Sequence, residues 1–579
     1  MKFSIVAEYF ARIEAEQSRI GMTLLLAELL HQTDAHEAAL TCYLALGQLM
    51  PPYKTIQFNI AQEMMVRVVA RVMELSEQEI KHLVQQEGDL GRVVARGMWQ
   101  SASSLSIEEV YQRLYAVSRI TGAGSQEEKI QKLTLLLKDL DPQSAQYVVR
   151  MVIGKLRLGF SDMTLIDALS WMQVGDKSLR SSIENAYNLC ADIGEIAKTI
   201  KEQGPAGIAA MHIQVGIPLR PAAAEREPSA MAVFQRLGPC VAQLKLDGFR
   251  LQVHLDKSGA TPVVHFFSRH LTDMSAMFPD LVAQVIALDV SDMICEGEAI
   301  VFDEETKTFL PFQETVKRKR KHGVEQAAEE MPLQLFLFDM LYLNGVSLLD
   351  QTHKQRRKAL MITLASAHLH AVHAIEEKMI NTLQDLKKYF LTAIAEGLEG
   401  LVVKRPDAPY QAGKRNFNWI KLKREEEGHL EDTIDCVVLG YYAGEGKRAR
   451  FGIGAFLVGV YNPDQDHFET IAKIGTGLKD ADWIALKQKC DAIAVHEQPK
   501  NVICAKELAP NIWVIPEIVV TIRADEITLS PLHAAGRHDD MPGYALRFPR
   551  FIAYRTDKGP QEATTVEEIV RLFEDQSRR

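Results

Sequence analysis

Three regimes of hydrophobic patterning follow one another along the chain. Over the first two hundred residues apolar positions recur at helix spacing. Phe3, Val6, Ala7, Phe10 and Ile13 share a face, and Leu24, Leu25, Leu26, Leu29 and Leu30 make a broad one. Ser106-Ile107-Glu108-Glu109 has the reciprocal capping pattern of a helix start, and Asp141-Pro142 joins a cap to a first-turn proline. The pattern breaks at Gly216-Ile217-Pro218-Leu219-Arg220-Pro221, after which residues 222–227 read as an extended linker. Strands mixed with helices follow, with apolar runs at 263–267, 299–302, 335–338 and 401–403. One clear helix carries Leu383, Leu386, Phe390, Ala393 and Ile394 on one face and stops at Gly397. A charged stretch at 424–432 separates this region from a third, where short strands at 436–442, 454–461, 471–474 and 514–522 alternate with glycine turns. That rhythm predicts a small barrel or sandwich, closed by a helix capped at Thr565-Val566-Glu567-Glu568.

Composition narrows the class without naming a chemistry. The 579 residues are 47% hydrophobic and 25% charged, the balance of an ordinary globular protein. No run approaches the about 18 apolar residues of a membrane span, and Glu8 comes too early for a secretory leader. The seven cysteines are scattered without a Cys-x-x-Cys pair, so neither a zinc finger nor a disulfide framework is expected and a cytoplasmic setting is. The net charge of −10 is no signature of a nucleic-acid binder, but a local basic groove is compatible with an acidic exterior. Two basic clusters fit that idea: 317–322, equally readable as a solvated loop, and Lys414-Arg415 with Lys421, Lys423 and Arg424.

The strongest local signal is Lys245-Leu246-Asp247-Gly248-Phe249-Arg250. Alternating residues on both sides of an Asp-Gly pair predict a hairpin with Lys245 fixed beside its turn, and a held lysine serves as a nucleophile when its amine is neutral. Further segments carry polar residues on strand patterns. Ser268-Arg269 ends one strand, Glu296-Gly297-Glu298 opens another, and Phe338-Asp339 ends a third before an Asn344-Gly345 turn. Glu399-Gly400 starts a fourth, and Trp419-Ile420-Lys421-Leu422-Lys423 alternates so that both lysines share a face. An aromatic ring to stack on a base, cations for phosphates and carboxylates for Mg2+ are the parts of a nucleotide site.

Taken in order, these segments resemble the ATP-dependent DNA ligases of the three-domain, archaeal and eukaryotic type. The hexapeptide resembles the nucleotidyltransferase signature, and the segments at 267–269, 296–298, 338–339, 399–404 and 419–423 resemble its successive later motifs. Leu546-Arg547-Phe548-Pro549-Arg550-Phe551 and Arg555-Thr556-Asp557-Lys558 resemble the final motif, and Gly154-Lys155-Leu156-Arg157-Leu158-Gly159 the hallmark of the helical DNA-binding domain. The resemblance implies a multi-domain fold: an all-α DNA-binding domain at 1–211, an α+β nucleotidyltransferase domain at 212–424 and an OB-fold β-barrel at 425–579. It implies a nick-sealing enzyme that uses ATP and Mg2+ through a lysyl-AMP on Lys245.

By the same resemblance Gln243, Arg250, Arg269, Glu298, Phe338, Arg415, Lys421 and Lys423 bind the nucleotide, with Phe338 stacked on adenine and Glu298 and Glu399 serving ribose or the metal. Lys421, Lys423 and the metal are expected to depress the Lys245 pKa. Lys155 and Arg157 meet DNA phosphates, the flanking glycines allowing close approach. Arg555, Asp557 and Lys558 orient pyrophosphate, which requires the barrel to swing about a joint at 424–432. The expected partner is nicked duplex DNA, bound by a monomer associated with the nucleoid. No clear sliding-clamp peptide is present. Many relatives carry a carboxylate where this chain has Gln243; a carboxamide accepts and donates, so this residue leaves ATP and GTP both open. RNA ligases and capping enzymes are disfavoured by the long helical region, and NAD-dependent ligases by the missing four-cysteine cluster. A non-catalytic scaffold is disfavoured by the complete charged set.

Overall fold

The computed structural model describes residues 1–101, 104–154, 156, 158–303, 308–310, 315, 317–318, 320, 323–365, 369–396, 398–423, 433–444, 446–538 and 541–578. The chain forms two compact units, Met1–Arg424 and Glu425–Arg579. Among the described residues no helix is long and apolar enough to cross a membrane. All seven cysteines are free, and six are buried.

The first 210 residues are helical. Phe3, Val6, Phe10 and Ile13 from Phe3–Ala15 join Leu26, Leu29 and Leu30 from Arg19–Gln32 in one continuous core, while Leu24 faces solvent. The predicted caps form: Ser106 and Glu109 make a reciprocal box, and the Asp141 side chain accepts from the Ser144 amide with Pro142 in the first turn. Gly154 and Gly159 both hold a positive φ, 68° and 83°. A Cβ on Gly154 would meet no protein atom within 4 Å, and its positive φ is by itself a reason for glycine there.

The central part of the first unit contains twelve strands among the described residues. They are β1 (Ala223–Arg226), β2 (Cys240–Lys245), β3 (Phe249–Asp256), β4 (Val263–Ser268), β5 (Asp292–Asp303), β6 (Thr308–Phe309), β7 (Leu333–Leu343), β8 (Val346–Ser347), β9 (Val372–Ala374), β10 (Glu377–Ile380), β11 (Gly400–Lys404) and β12 (Arg415–Lys423). One sheet runs β1-β12-β11-β2-β10. The other runs β4-β3-β5-β7-β8, with β6 on β5 and β9 on β7. Each has its own apolar cluster: Leu251, Phe266, Met293 and Leu335 under the second, Ala242, Leu386, Leu401 and Ile420 under the first.

This topology corrects several expectations. The Asp247-Gly248 pair does not close a hairpin, because β2 and β3 belong to different sheets. Gly248 is not in a positive-φ conformation, as the expected hairpin turn would require. Its role is proximity: a Cβ there would sit 2.4 Å from the Ala299 carbonyl oxygen on β5. Residues 223–226 of the supposed linker are β1, in parallel pairing with β12. Glu296-Gly297-Glu298 lies within β5 rather than opening a strand, and Phe338-Asp339 lies inside β7 rather than ending one. The basic run at 317–322 is not a uniformly solvated loop. Arg318 is fully buried and donates to Asp280 at 2.8 Å, while Lys319, Lys321 and His322 lie outside the described residues.

The second unit is β-rich, with an eight-stranded sheet, a two-stranded ribbon and the helices Asp480–Ala492 and Val566–Arg578. It has the OB-fold class expected of it. Its long strands Ile434–Tyr442, Ala455–Asn462 and His467–Ile474 pair in antiparallel order with a bulge in each interface, which bends the sheet. The expected strand at 514–522 divides into Ile512–Val514 and Val519–Arg523 around Pro516, which has no N–H for the ladder. Thr565 caps the last helix through reciprocal bonds with Glu568.

Candidate active site

A cleft of about 1150 Å3 opens in the first unit, lined by both central sheets and by helical-region residues such as Pro52, Asp162 and Tyr187. The three middle strands of the first sheet put its key residues in one row. Antiparallel pairing sets Gly400 of β11 opposite Lys245 of β2 on one side and Lys423 of β12 on the other. Glu399, just before Gly400, places its carboxylate between the two lysines and accepts a hydrogen bond from each Nζ. Gly400 makes this crossing possible. Its φ is 141°, and a Cβ would stand 2.2 Å from the Leu422 carbonyl oxygen.

Burial is the main influence that lowers the Lys245 pKa. Glu298 and Asp247 oppose it, and Arg269 and Arg250 add to it. Desolvation thus leads and the two arginines contribute; of the two expected lysines, Lys421 is coupled to Lys245 by like charge, whereas Lys423 shares Glu399 with it. Lys421 is lowered first by burial, then by Arg415, Lys245, Arg269 and Arg226. Strand alternation turns Trp419, Lys421 and Lys423 to the cleft and sends Ile420 and Leu422 into the core.

The second sheet supplies the opposite wall. Arg250 on β3 is register partner of Glu298 on β5 and donates through Nη2 to both oxygens of Glu296, at 3.1 and 3.0 Å. Tyr410 donates to the same Glu296 at 2.9 Å. The Arg250 guanidinium stands 5.5 Å from the Phe338 ring centroid, and its buried Nε has no partner among the described residues. Glu298 accepts from the Gly248 amide at 3.1 Å, and burial pushes its carboxyl up to about 7. Phe338, half-buried, presents its ring to the cleft beside Trp419, and Arg269 and Arg415 line the same space.

Behind Phe338 lies a buried polar network that joins the marked residues Gln243, Asp339 and Lys404 to Arg356, His353 and Glu377, which the sequence motifs do not mark. Asp339 accepts from Arg356 at 2.7 and 3.0 Å and lies 3.8 Å from Lys404 Nζ. Lys404, 1% exposed, donates to the Phe338 carbonyl at 3.2 Å, and burial pushes its pKa down to about 8. Gln243 donates to Glu377 at 2.7 Å and to that same Phe338 carbonyl at 3.2 Å. Glu377 is also paired with His353 at 2.8 Å. The one sequence signal for Glu377 is its place at the start of a short alternating run, Glu377-Lys378-Met379-Ile380.

No group of three or more His, Cys, Asp or Glu side chains fit to cage a metal occurs among the described residues. Mg2+ needs no such cage: it usually takes one or two carboxylates and fills its octahedron with water and substrate phosphate. Glu298, a carboxylate on the cleft wall with a backbone amide as its hydrogen-bond partner, fits that use. Glu399 can join it only after its two lysines turn elsewhere.

Lys155, Arg157 and the joint at 424–432 lie outside the described residues. Arg555, Asp557 and Lys558 belong to the second unit, where Arg555 and Lys558 donate to Asp435 at 2.8 and 2.7 Å and Arg555 also pairs with Asp557.

Three family models match the chain: "DNA ligase N terminus" over residues 2–170, "ATP dependent DNA ligase domain" over 221–423 and "ATP dependent DNA ligase C terminal region" over 449–558. A "Probable DNA ligase" of Dictyoglomus thermophilum is 43% identical over all of this chain and 98% of its own length. "DNA ligase 2" of Thermofilum pendens and "DNA ligase" of Saccharolobus solfataricus are each 36% identical, again over 100% of this chain and 98% of theirs. The solved structure "Pmar-Lig_PreS3" shares the fold at a TM-score of 0.55 and 17% identity, covering 95% of this chain and 99% of that one.

Proposed function

The chain belongs to the ATP-dependent DNA ligases, which join a 3′-hydroxyl to a 5′-phosphate at a nick through lysyl-AMP and adenylated DNA, and on that premise we propose that Lys245 carries the AMP. The observation that supports this most is the Lys245–Glu399–Lys423 row, which sets a partly buried, pKa-depressed amine beside a carboxylate and a second cation on the cleft wall. In the first step the neutral amine attacks the α-phosphorus, the bond to the β-phosphate oxygen breaks and pyrophosphate leaves. The proton shed by nitrogen passes to Glu399, whose carboxylate already accepts from Nζ. In the second step the 5′-phosphate of the nick takes AMP from Lys245. In the third the 3′-hydroxyl attacks that phosphate and AMP departs.

Phe338 stacks on adenine and Gln243 meets its edge. Arg250, through its unpartnered Nε, and Arg269 hold ribose and phosphate oxygens, while Arg415, Lys421 and Lys423 balance phosphate charge. Glu298, joined by Glu399 once its two lysines turn elsewhere, would hold Mg2+. That ion supplies charge neutralisation at the phosphates when bound. Lys155 and Arg157 contact DNA phosphates. Arg555, Asp557 and Lys558 orient pyrophosphate when the second unit approaches, after Asp435 releases the two cations. Domain limits at 211 and 424, a monomeric state, action in the cytoplasm at the nucleoid and a sliding clamp as a further partner, without a clear peptide for it, complete the reading.

The test separates the first step from the third. With Mg2+ and labelled ATP the protein is expected to form a covalent AMP adduct that Lys245→Ala abolishes, a loss of about 10^4-fold or more for a missing nucleophile. The same variant should still seal a nick whose 5′-phosphate is already adenylated. An adduct that survives in Lys245→Ala overturns the assignment.

A further inference from the structure

Gln243 occupies an unusual position for a carboxamide. It lies on β2 between β10 and β11, is 2% exposed, and still lines the cleft. Both of its polar ends must therefore be used well. The amide nitrogen is committed: Nε2 donates to Glu377 Oε2 at 2.7 Å and to the Phe338 carbonyl at 3.2 Å. Each partner is an acceptor only. A backbone carbonyl has no proton to give, and Glu377 is kept as a carboxylate. Burial alone would raise its pKa, but the His353 hydrogen bond and the charges of His353, Arg357 and Lys404 hold it below the usual range.

Turning the amide over would set Oε1 against two acceptors, losing two hydrogen bonds and adding repulsion. The orientation is thus fixed by its neighbours. Glu377 is fixed in turn, by strand register directly opposite Gln243, by His353 Nε2 at 2.8 Å and by Arg357 Nε at 4.0 Å. Once the nitrogen is used, the carbonyl oxygen remains, and no described residue donates to it in the hydrogen bonds of this network.

We propose that Glu377 is a positioning residue that locks the Gln243 amide with its carbonyl oxygen toward the nucleobase, so that the cleft selects a purine carrying a 6-amino group. The proposal rests on the reading of the cleft as the nucleotide site with the base beside Phe338. A 6-amine donates to this oxygen. A 6-oxo purine such as guanine or hypoxanthine presents a lone pair to a lone pair and is rejected. The carboxylate that many relatives place on the base directly is here displaced by one strand and acts through the carboxamide.

The experiment measures kcat/KM for Lys245 adduct formation in single turnovers with three triphosphates: ATP, purine riboside triphosphate, which lacks the 6-amine, and ITP. Wild-type protein is expected to favour ATP over the deaminated analogue by about tenfold or more, mainly through KM, and over ITP by more than that. In Glu377→Gln the neighbour itself both donates and accepts, so the Gln243 amide is free to turn. The ATP-to-ITP ratio should collapse toward one while kcat with ATP changes little. The ATP-to-deaminated ratio should fall less, because a turning amide can still accept from a 6-amine. Gln243→Leu, which removes the oxygen and keeps Glu377, should flatten the ATP-to-deaminated ratio. Gln243→Glu combined with Glu377→Gln returns a fixed acceptor and should restore discrimination. If Glu377→Gln slows all three nucleotides equally and leaves the ratios intact, Glu377 is merely structural and the proposal fails. If wild-type protein forms an adduct but does not distinguish ATP from its deaminated analogue, the proposal fails while the nucleotide site stands. No adduct with any of the three overturns both.

Discussion

The two ends of the cleft are built on opposite electrostatic plans. Around Lys245 the charges are partly buried and unbalanced: two lysines share Glu399, and Lys421, Arg269 and Arg415 stand nearby. Behind Phe338 the charges are buried and closed on one another, Asp339 with Arg356 and Lys404, Glu377 with His353 and Gln243. The first end holds cations in excess of its anions, which suits a site awaiting a triphosphate. The second pairs its charges internally and therefore serves as a frame. The contrast teaches that density of charge is a poor guide to where chemistry happens. The unsatisfied charge is the better guide.

Removing one charge from each end should break the comparison most sharply. Asp339→Ala leaves Arg356 buried with no counter-ion and should cost about 3–5 kcal/mol of stability, read by thermal or urea denaturation. Glu399→Ala frees two partly exposed lysines and should cost less than about 1 kcal/mol, yet it should stop adduct formation. Equal stability losses in the two variants would show that both ends are structural.

Much of the reactive end was legible in the chain, and the reason is local. Strand alternation at 419–423 places Lys421 and Lys423 on one face whatever the fold. The frame was not legible, because its pairs join distant segments. Asp339 meets Arg356 across a connection between a strand and a helix, and Gln243 meets Glu377 across 134 positions. Neither residue type announces such a partner, and a buried arginine or histidine is written in the same letters as an exposed one. The misread hairpin has a similar cause. Alternation on both sides of Asp247-Gly248 correctly identifies two strands, but pairing is a property of sheets, and here the chain leaves one sheet and enters the other. The paired prolines at 218 and 221 suggested a linker, although β1 follows at once and gains its partner only through β12.

A backbone substitution tests whether the row of lysines depends on the crossing at Gly400. Gly400→Ala introduces a Cβ at a φ of 141°, against the Leu422 carbonyl, and should destabilise by at least about 1–3 kcal/mol. Glu399 should move with the strand, so adduct formation should fall by more than the fraction unfolded accounts for. Substitution at Gly345, which has a positive φ but open space around its Cβ, provides the matched control for strain alone. If both variants lose activity only in proportion to stability, the crossing has no special part in holding the site.

The smallest effect is the most diagnostic, because the two ends should bend the pH dependence of stability in opposite directions. Burial raises the Glu298 carboxyl from 4.5 to about 7, so the folded protein holds a proton that the unfolded chain has released. Its contribution is full below about pH 4.5 and is lost as pH rises to about 7, with a slope of at most about 1.4 kcal/mol per unit. Burial lowers Lys404 from 10.5 to about 8, so above that point the unfolded chain carries the extra proton. Stability therefore recovers as pH rises from about 8 toward 10.5. Subtracting variants isolates each limb. The wild-type curve minus that of Glu298→Gln should fall between about pH 4.5 and 7 and be flat above it. The curve minus that of Lys404→Met should be flat below about pH 8 and rise above it. A difference curve of the other sign in either window would mean that the group's partners, rather than its burial, set its charge. The separation of an open reactive end from a closed frame would then fail at that residue.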